Sequence, residues 1–523
     1  MTSQSEATPI VPTDWTEPER WVWSQITAGK SADLKELFPD SITLDPFSET
    51  EWSEDRLLSS EFLHFILTEH DFVRATPNAG VRIVGAMIRG AVLDIENAVL
   101  LNPLWIEHSK ILCRIEGRFL RAASSLSFEN SLVAEHVNLN GAEIRGPLSL
   151  ACGRFQNGFS LMGCRVDRNV EMDGSEIAGV VNLNRTVVGG TVHMRNQATF
   201  KGYVDLGGVK IGANLEMDGG VFEDTVNINR ATIAGSAYLR GNATFKGDVD
   251  LMSSRVGSNL EMGDSHFDGH VDLTGCVVAE SLLLVRDSAA RWGNESSLTL
   301  RNARADALQD WWQDSCRNAW PPTYCLEGFT YQRLGAINTT NDADMPARST
   351  RVFIDWLQRD SSSSSQPYEH LASRFQSIGD ASKANDIRYA SREWQRGSAW
   401  SKGDRLRAFG LWLLSITIGY GLGSRYFRAV WWVIGFSVMG AAVLVAFGTF
   451  ELADWPRAFF ASLDQLLPIV TLNADHDAII FGGSTMDAPQ PYGVIVYFYF
   501  QQIVGFVLGS FLVAGISGLT QHN

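Results

Sequence analysis

The stretch that decides the fold runs from Asn138 to Leu283 and opens with NLNGAEIRGPLSLACGRFQNGF, residues 138–159. In this stretch an apolar residue returns every 11 residues, with two steps of 12. These apolar positions are Leu139, Leu150, Leu161, Met172, Leu183, Met194, Leu206, Met217, Ile228, Leu239, Leu251, Met262 and Leu273. A second apolar position follows five residues after each, as at Ile144 and Phe155, and a third follows nine or ten residues after most of them.

Gly, Asn, Asp and Ser fill the places between these apolar positions, and such residues favour turns and positive φ. An amphipathic helix would need apolar residues at i, i+3, i+4 and i+7, which this pattern lacks. The pattern instead predicts strands of two or three residues separated by turns and stacked coil upon coil. The fold class that follows is a mainly β protein built on a β-solenoid, or β-helix.

A longer repeat of 45 residues overlies the short one, because Asn169-Val-Glu-Met-Asp-Gly returns from Asn214 and again from Asn259 in similar form. The 11-residue spacing extends back to residue 81, and a weaker copy at Leu300 closes it, so we assign residues 81–305 to the solenoid. If two 11-residue units form one coil, the 18 regular units predict about nine coils. At roughly 4.8 Å per coil, the rod would be about 40–45 Å long.

The segments that flank the repeat read as helical. Residues 1–80 contain helix openings rich in early acids, from Glu17 and from Ser53, and we expect a helical cap over the first coil. Residues 306–400 read as a helical linker. Within the linker, the apolar positions from Tyr368 to Phe375 and the Gly379-Asp380 break resemble one tetratricopeptide helix–turn–helix unit.

Residues 401–523 differ in kind and predict an α-helical membrane domain. The segments 429–450 and 492–519 carry no charge and are long enough to span a bilayer of roughly 30 Å. A shorter apolar segment, 406–423, has arginines near both ends and favours an interfacial helix, with a third span as the alternative.

Charge placement predicts the orientation of these spans. Five basic residues and one acid lie between Ser401 and Arg428, whereas six acids and one base lie between the two spans. Because Lys and Arg stay on the cytoplasmic side, we expect the large N-terminal part in the cytoplasm and the protein in a bacterial inner membrane. The six cysteines form no CxxC pair, which suits reduced thiols in the cytosol.

The segment between the spans carries the functional prediction. Residues 456–472 are too short to span and predict a re-entrant segment, which needs protein or water around its ends. The order of span, short helix, polar segment and span resembles the plan of two-transmembrane ion-channel subunits, although the TVGYG filter is missing and potassium selectivity is not implied. The candidate pore-lining residues are Asp464, Thr471, Asn473, Asp475, Asp477 and Gln501. For Gln501, a hydrogen bond between helices is the alternative.

The second span also contains Gly505 and Gly509, a GxxxG pair that predicts close helix packing and self-association. Catalytic, metal-ligating and cofactor-binding motifs are missing from the sequence, so we expect neither an enzyme nor a cofactor. The net charge of −16 argues against a nucleic-acid partner.

The whole architecture resembles bacterial membrane proteins with pentapeptide-like repeats. The resulting hypothesis is a homo-oligomeric, pore-forming protein in the lipid bilayer, whose cytosolic solenoid responds to a protein or small-molecule signal. The alternative hypothesis is a membrane-tethered scaffold without enzymatic activity, in which the spans only anchor the rod.

Overall fold

The computed structural model describes residues 9–37, 45–48, 52–285, 289–310, 319–335, 344–447, 449–467, 472–473, 475–481 and 491–520. The chain forms two compact units. The first contains residues 1–348 and 359–364, and the second contains residues 349–358 and 365–523. Each unit is described by itself below.

The first unit is dominated by a four-faced β-solenoid of about 11 turns over residues 81–334. Two of its faces are parallel sheets of 11 strands each, and the other two faces join into one sheet of 21 strands. The joining strand is Val277–Leu283, which pairs at its start with Arg255–Val256 and at its end with Leu260–Glu261.

The strands are grouped here by the face on which they lie. The first face contains Val81–Val84, Leu104–Glu107, Leu126–Ser127, Leu148–Ser149, Val170–Glu171, Val192–His193, Leu215–Glu216, Ala237–Tyr238 and Leu260–Glu261. The second contains Leu57–Ser59, Met87–Arg89, Lys110–Ile111, Leu132–Val133, Arg154–Phe155, Glu176–Ile177, Thr199–Phe200, Val221–Phe222, Thr244–Phe245, His266–Phe267 and Arg291–Trp292.

The third face contains Val92–Asp94, Arg114–Glu116, Val137–Asn138, Phe159–Ser160, Val181–Asn182, Val204–Asp205, Val226–Asn227, Val249–Asp250, His270–Asp272, Ser297–Thr299 and Thr323–Cys325. The fourth contains Val99–Leu100, Arg121–Ala122, Glu143–Ile144, Arg165–Val166, Val187–Val188, Lys210–Ile211, Thr232–Ile233, Arg255–Val256, Val277–Leu283, Arg304–Gln309 and Thr330–Leu334. The last three strands of the fourth face continue onto the first.

The strand register confirms that two 11-residue units form one coil. Leu126 pairs with Leu148, and Leu148 pairs with Val170, so each step from coil to coil covers two repeat units. The predicted apolar positions point inward, because every one of the 13 that define the repeat is no more than 2% exposed. Burial of such side chains contributes about 1.5–3 kcal/mol each, which makes this the stabilising core of the rod.

A ladder of phenylalanines shows how regular the stacking is. Phe200, Phe222, Phe245 and Phe267 lie on the second face in successive coils, with ring centroids 4.8–5.0 Å apart and interplanar angles of 3°. Trp292 ends the ladder, 5.0 Å from Phe267. The ring spacing matches the strand separation expected for a parallel sheet.

The solenoid extends beyond residue 305, where the sequence pattern was expected to end. Arg304 pairs with Thr330, and the stretch of chain between these partners is longer than in earlier coils, such as the one from Arg165 to Val187. The lengthened coils hide the 11-residue spacing although the strands still pair. At the other end, Ala32–Asp33 and Leu57–Ser59 pair with the first coil, so the cap contains strands as well as the predicted helices.

The helices of the first unit are α1 (Glu17–Thr27), α2 (Leu34–Leu37), α3 (Ser60–Thr68), α4 (His70–Ala75) and α5 (Asp344–Ala347). Those of the second are α6 (Thr350–Gln358), α7 (Gln366–Ser377), α8 (Ala381–Ser401), α9 (Arg405–Ile418), α10 (Arg428–Ala446), α11 (Trp455–Leu466), α12 (Asp475–Phe481) and α13 (Tyr492–Thr520). Short 3₁₀ helices occupy Glu54–Arg56, Gly419–Gly421, Gly423–Phe427 and Leu452–Asp454. Helices α7 and α8 pack together and bury Phe375 and Ile387, as the predicted helix–turn–helix requires.

Two helical segments, Gly423–Ala446 and Tyr492–Ser510, are long and apolar enough to cross a membrane. They overlap the spans predicted at 429–450 and 492–519. Helix α9, within the predicted interfacial segment 406–423, is not one of them, and it exposes Leu406, Phe409 and Trp412.

Candidate functional site

The candidate site is the helix cluster formed by α10, α11, α12 and α13. These helices share one apolar core, whose fully buried members are Ala441, Leu444, Ala458, Ala461, Ile480, Val494 and Phe498. Helix α11 contacts both α10 and α13. With 12 residues it is roughly 18 Å long, which is too short to cross the hydrocarbon of a bilayer.

Three residues lock α11 to both neighbouring helices. The Gln501 Nε2 on α13 donates hydrogen bonds of 2.8 Å to both the carbonyl oxygen and the Oγ of Ser462 on α11. On α10, Gly440 makes room for this pair, because a Cβ there would lie 2.1 Å from Ser462 Oγ. Gln501 is fully buried, and its Oε1 finds no hydrogen-bond donor among the described residues. The sequence argument left two roles open for Gln501, and it lies at a contact between helices.

Gly505 packs against the end of the short helix. A Cβ at Gly505 would lie 2.2 Å from the carbonyl oxygen of Leu466, the last residue of α11. The close approach expected of the GxxxG pair is therefore made within one chain at this glycine. Gly509, four residues further along α13, is half-buried.

Asp464 holds the residues that follow α11. Its Oδ1 accepts a hydrogen bond of 2.7 Å from the Leu472 amide, and its Oδ2 accepts one of 3.2 Å from the Asn473 amide. The Nδ1 of His476 lies 2.9 Å from the same Oδ2. With 7% of its surface exposed, Asp464 is a clamp between the end of α11 and the start of α12, instead of an open lining group.

A second chain of hydrogen bonds links helices α11, α12 and α13. Gln502 on α13 donates to Gln465 Oε1 on α11 over 2.6 Å, and Gln465 Nε2 donates to Asp477 Oδ1 on α12 over 2.6 Å. The contact between the two glutamines was not predicted, because they lie far apart in the sequence and carry no signal of contact.

The remaining predicted lining residues differ in their surroundings. Asn473 and Asp475 are exposed at the start of α12, where the Asn473 side chain accepts a hydrogen bond of 3.1 Å from the Asp475 amide. Asp477 is exposed apart from its contact with Gln465. Thr471 lies outside the described residues. Asn473, Asp475 and Asp477 thus lie on one short polar segment, whose first described residues are held by Asp464 of α11.

A cluster of polar side chains lies at the N-terminal end of the first candidate span. For this region the sequence predicted only the orientation of the span in the membrane. Glu393 on α8 accepts hydrogen bonds from Ser415 over 3.0 Å and from Tyr420 over 2.7 Å. Burial, and then the Glu393 carboxylate, raise the pKa of the Tyr420 hydroxyl above its ordinary value. Arg425 pairs with Asp386 on α8 over 2.9 Å, and Arg428 donates to the Ser415 carbonyl over 3.0 Å.

The part of the chain that the structure describes contains no group of three or more His, Cys, Asp or Glu side chains arranged to hold a metal ion. No family model, curated protein or solved structure matches this chain. The class of this protein is therefore defined by its own fold and candidate site. It is a β-solenoid protein with a helical C-terminal region that carries two helices suited to crossing a membrane.

Proposed function

We propose that this protein is a channel-like membrane protein in which α11 is a pore helix and residues 471–477 line a path for cations. One observation carries this proposal. A helix too short to cross the membrane contacts both candidate spans, and Asp464 folds the polar segment back onto its C-terminal end. Irregular backbone at membrane depth is tolerated where it lines a water-filled cavity, so a pore accounts for this segment.

The roles of the polar residues follow from their surroundings. Asp464 positions the segment, while Asn473, Asp475 and Asp477 supply oxygen atoms toward the path, together with Thr471 as predicted from the sequence. The C-terminal end of α11 carries a partial negative charge, which adds to these oxygens and favours cations over anions. Gln501 acts as a helix-to-helix contact.

The assembly and location of the proposed channel rest on the sequence. One α11 cannot surround a path, so several copies must associate, with Gly509 and the exposed faces of α10 and α13 at the interface. The charge bias around the first span favours a cytoplasmic solenoid and a bacterial inner membrane. The resemblance to pentapeptide-like repeat membrane proteins agrees with that location.

A membrane-tethered scaffold is the second candidate function. It is favoured by the hydrogen bonds that Asp464, Gln465 and Ser462 make within the chain, which leave these three side chains satisfied without water. An anchor needs such hydrogen bonds for stability and no water-filled path. On this hypothesis the solenoid alone would carry the activity, as a platform for a cytosolic protein or small molecule.

Cation flux separates the two candidates. The full chain reconstituted in liposomes is compared with the Asp464→Asn variant and with Asp454→Asn at the opposite end of α11. An amide at position 464 has a single acceptor oxygen, so it can no longer accept from Leu472 and, at the second oxygen, from Asn473 and His476 as well. We therefore expect flux to fall at least tenfold. The Asp454 variant, which loses no contact with the polar segment, should keep it. Equal flux in the two variants would contradict the pore-helix role.

A further inference from the structure

The fourth face of the solenoid carries a column of cations. The first residue of each strand on this face points outward, and at every second coil it is basic, namely at Arg121, Arg165, Lys210, Arg255 and Arg304. The register aligns them, because Val187 pairs with both Arg165 and Lys210. With about 4.8 Å per coil, neighbouring cations in the column are roughly 10 Å apart.

Two arginines lie in coils where the column has no cation. Arg185 and Arg230 are exposed at the turn that leads onto the fourth face, in the coils of Val187 and Thr232. Both belong to the 45-residue repeat, as do Arg165, Lys210 and Arg255. From Arg165 to Arg255, every coil therefore presents one cation on this side of the rod.

All but one of these cations lack an acidic partner among the described residues, unlike Arg195 beside the first face. There, Arg195 is bound by Asp173 and Glu216 over 2.7 Å each, and the bonds to Asp173 raise the pKa of its guanidinium. On the fourth face Arg165 pairs with Asp167 over 2.8 Å. Within the described ranges the other cations have no ion pair, namely Arg121, Arg185, Lys210, Arg230, Arg255 and Arg304. Among the first residues of the described strands the one acid is Glu143, while Asp167, Glu280 and Asp306 lie further along the same face.

Exposed apolar side chains share this side of the rod. Seven large hydrophobic residues of the described solenoid are exposed, and six of them lie on the fourth face or on one of its two edges. The six are Val99, Leu101, Phe119, Met162, Met252 and Val277. Leu101 and Phe119 are each 58% exposed; Phe119 lies in the coil of Arg121, where the cationic column starts, and Leu101 lies in the coil before it. The seventh, Val180, lies on the turn between the second and third faces.

We propose that the fourth face docks on an anionic lipid surface. A polyanion such as duplex DNA would bind the cations but not the apolar side chains. The interface of an anionic bilayer would bind both. The two candidate spans of the chain would keep the solenoid beside a bilayer and raise its local concentration there. This inference is independent of whether the helices conduct ions.

The test uses the full chain held in nanodiscs of uncharged phosphatidylcholine, mixed with separate vesicles made from equal parts of phosphatidylcholine and anionic phosphatidylglycerol. Binding is measured by vesicle flotation at low and high salt. Wild-type protein should float with the vesicles at low salt and release as the ionic strength rises, because salt screens the attraction. Lys210→Gln/Arg230→Gln/Arg255→Gln should bind on the order of 100-fold more weakly, from about a fivefold loss for each cation near the surface.

A matched control removes the same number of charges from cations that already have acidic partners. Lys201 pairs with Glu176, Lys246 with Glu223 and Arg301 with Glu327. The triple glutamine variant at Lys201, Lys246 and Arg301 should bind vesicles within twofold of wild type. Equal losses in the two triple variants would overturn the assignment to the fourth face.

A second pair of measurements separates lipid from soluble polyanions. Leu101→Asn/Phe119→Asn keeps every cation and suits the positive φ of 56° at Phe119, so the fold should tolerate it. This variant should bind vesicles at least threefold more weakly but duplex DNA no differently from wild type. Unchanged vesicle binding, or DNA binding tighter than vesicle binding, would refute the lipid assignment.

Discussion

Substitution of Gly440 by alanine should release α11 from its two neighbours. The added Cβ would lie 2.1 Å from Ser462 Oγ and 2.7 Å from Gln501 Oε1, closer than atoms in folded proteins approach. Either the Gln501–Ser462 Oγ hydrogen bond breaks or the helices move apart. At Gly435 on the same helix, an added Cβ would have no other described atom within 4 Å. Gly435→Ala is therefore the matched control.

The magnitude follows from three effects. Loss of one buried hydrogen bond costs about 1 kcal/mol, and forcing a methyl group into a packed contact costs about 1–3 kcal/mol. In the opposite direction, alanine stabilises a helix interior by up to about 1 kcal/mol relative to glycine. The net loss for Gly440→Ala is therefore about 1–3 kcal/mol, or roughly 5- to 150-fold in the opening equilibrium of α11. Gly435→Ala keeps only the favourable helix effect.

Hydrogen exchange of residues 455–466, read by mass spectrometry on the full chain in nanodiscs, measures this opening. Exchange in Gly440→Ala should rise by that factor, and Ser462→Ala in the same chain should restore part of the protection by removing the nearest atom. Gly435→Ala should leave exchange unchanged or slower. If Gly440→Ala and Gly435→Ala exchange alike, the three-helix contact at Ser462 is not what holds α11.

Two further predictions concern the solenoid. Phe222→Ala removes a ring stacked 4.8 Å from both Phe200 and Phe245. In a urea titration this change should lower the free energy of unfolding by about 3–5 kcal/mol. Phe119→Ala, at an exposed site, should change it by less than about 0.5 kcal/mol. Burial raises the pKa of Cys113 to about 11 and of Cys164 and Cys276 to about 12 from 9.0, so iodoacetamide at pH 8 should alkylate the exposed Cys152 first. Because the unfolded thiols ionise at lower pH than the folded ones, these cysteines should weaken the fold as pH rises above about 9.

The repeat made the solenoid predictable, because each coil repeats one spacing and each inward position needs an apolar residue. The predicted solenoid ended before the real one, because the coils lengthen there, as between Arg304 and Thr330. In these coils the strands still pair, but the 11-residue spacing is lost. The cap strand Leu57–Ser59 was missed because a strand this short carries no periodicity of its own.

The site was predictable in its parts but not in its contacts. Composition and spacing indicated a short helix and an acidic segment, yet they could not show that Asp464 binds Leu472, Asn473 and His476, which lie 8, 9 and 12 residues further along the chain. The junction of Gly440, Ser462 and Gln501 joins residues from three helices and has no sequence period. In contrast, Arg165, Lys210 and Arg255 stand 45 residues apart in the sequence, but a net charge of −16 does not show that these cations share one face.

Single-channel recording in a planar bilayer tests the central claim most directly, with wild-type protein beside Asp475→Asn. We expect discrete, cation-selective currents whose unit amplitude falls in the variant, because Asp475 is exposed at the start of α12 and contributes negative charge to the path. Gln465 and Asp464 should still hold the segment, so the variant should open as often as wild type. A silent wild-type protein, or an amplitude and selectivity unchanged by Asp475→Asn, would contradict the account.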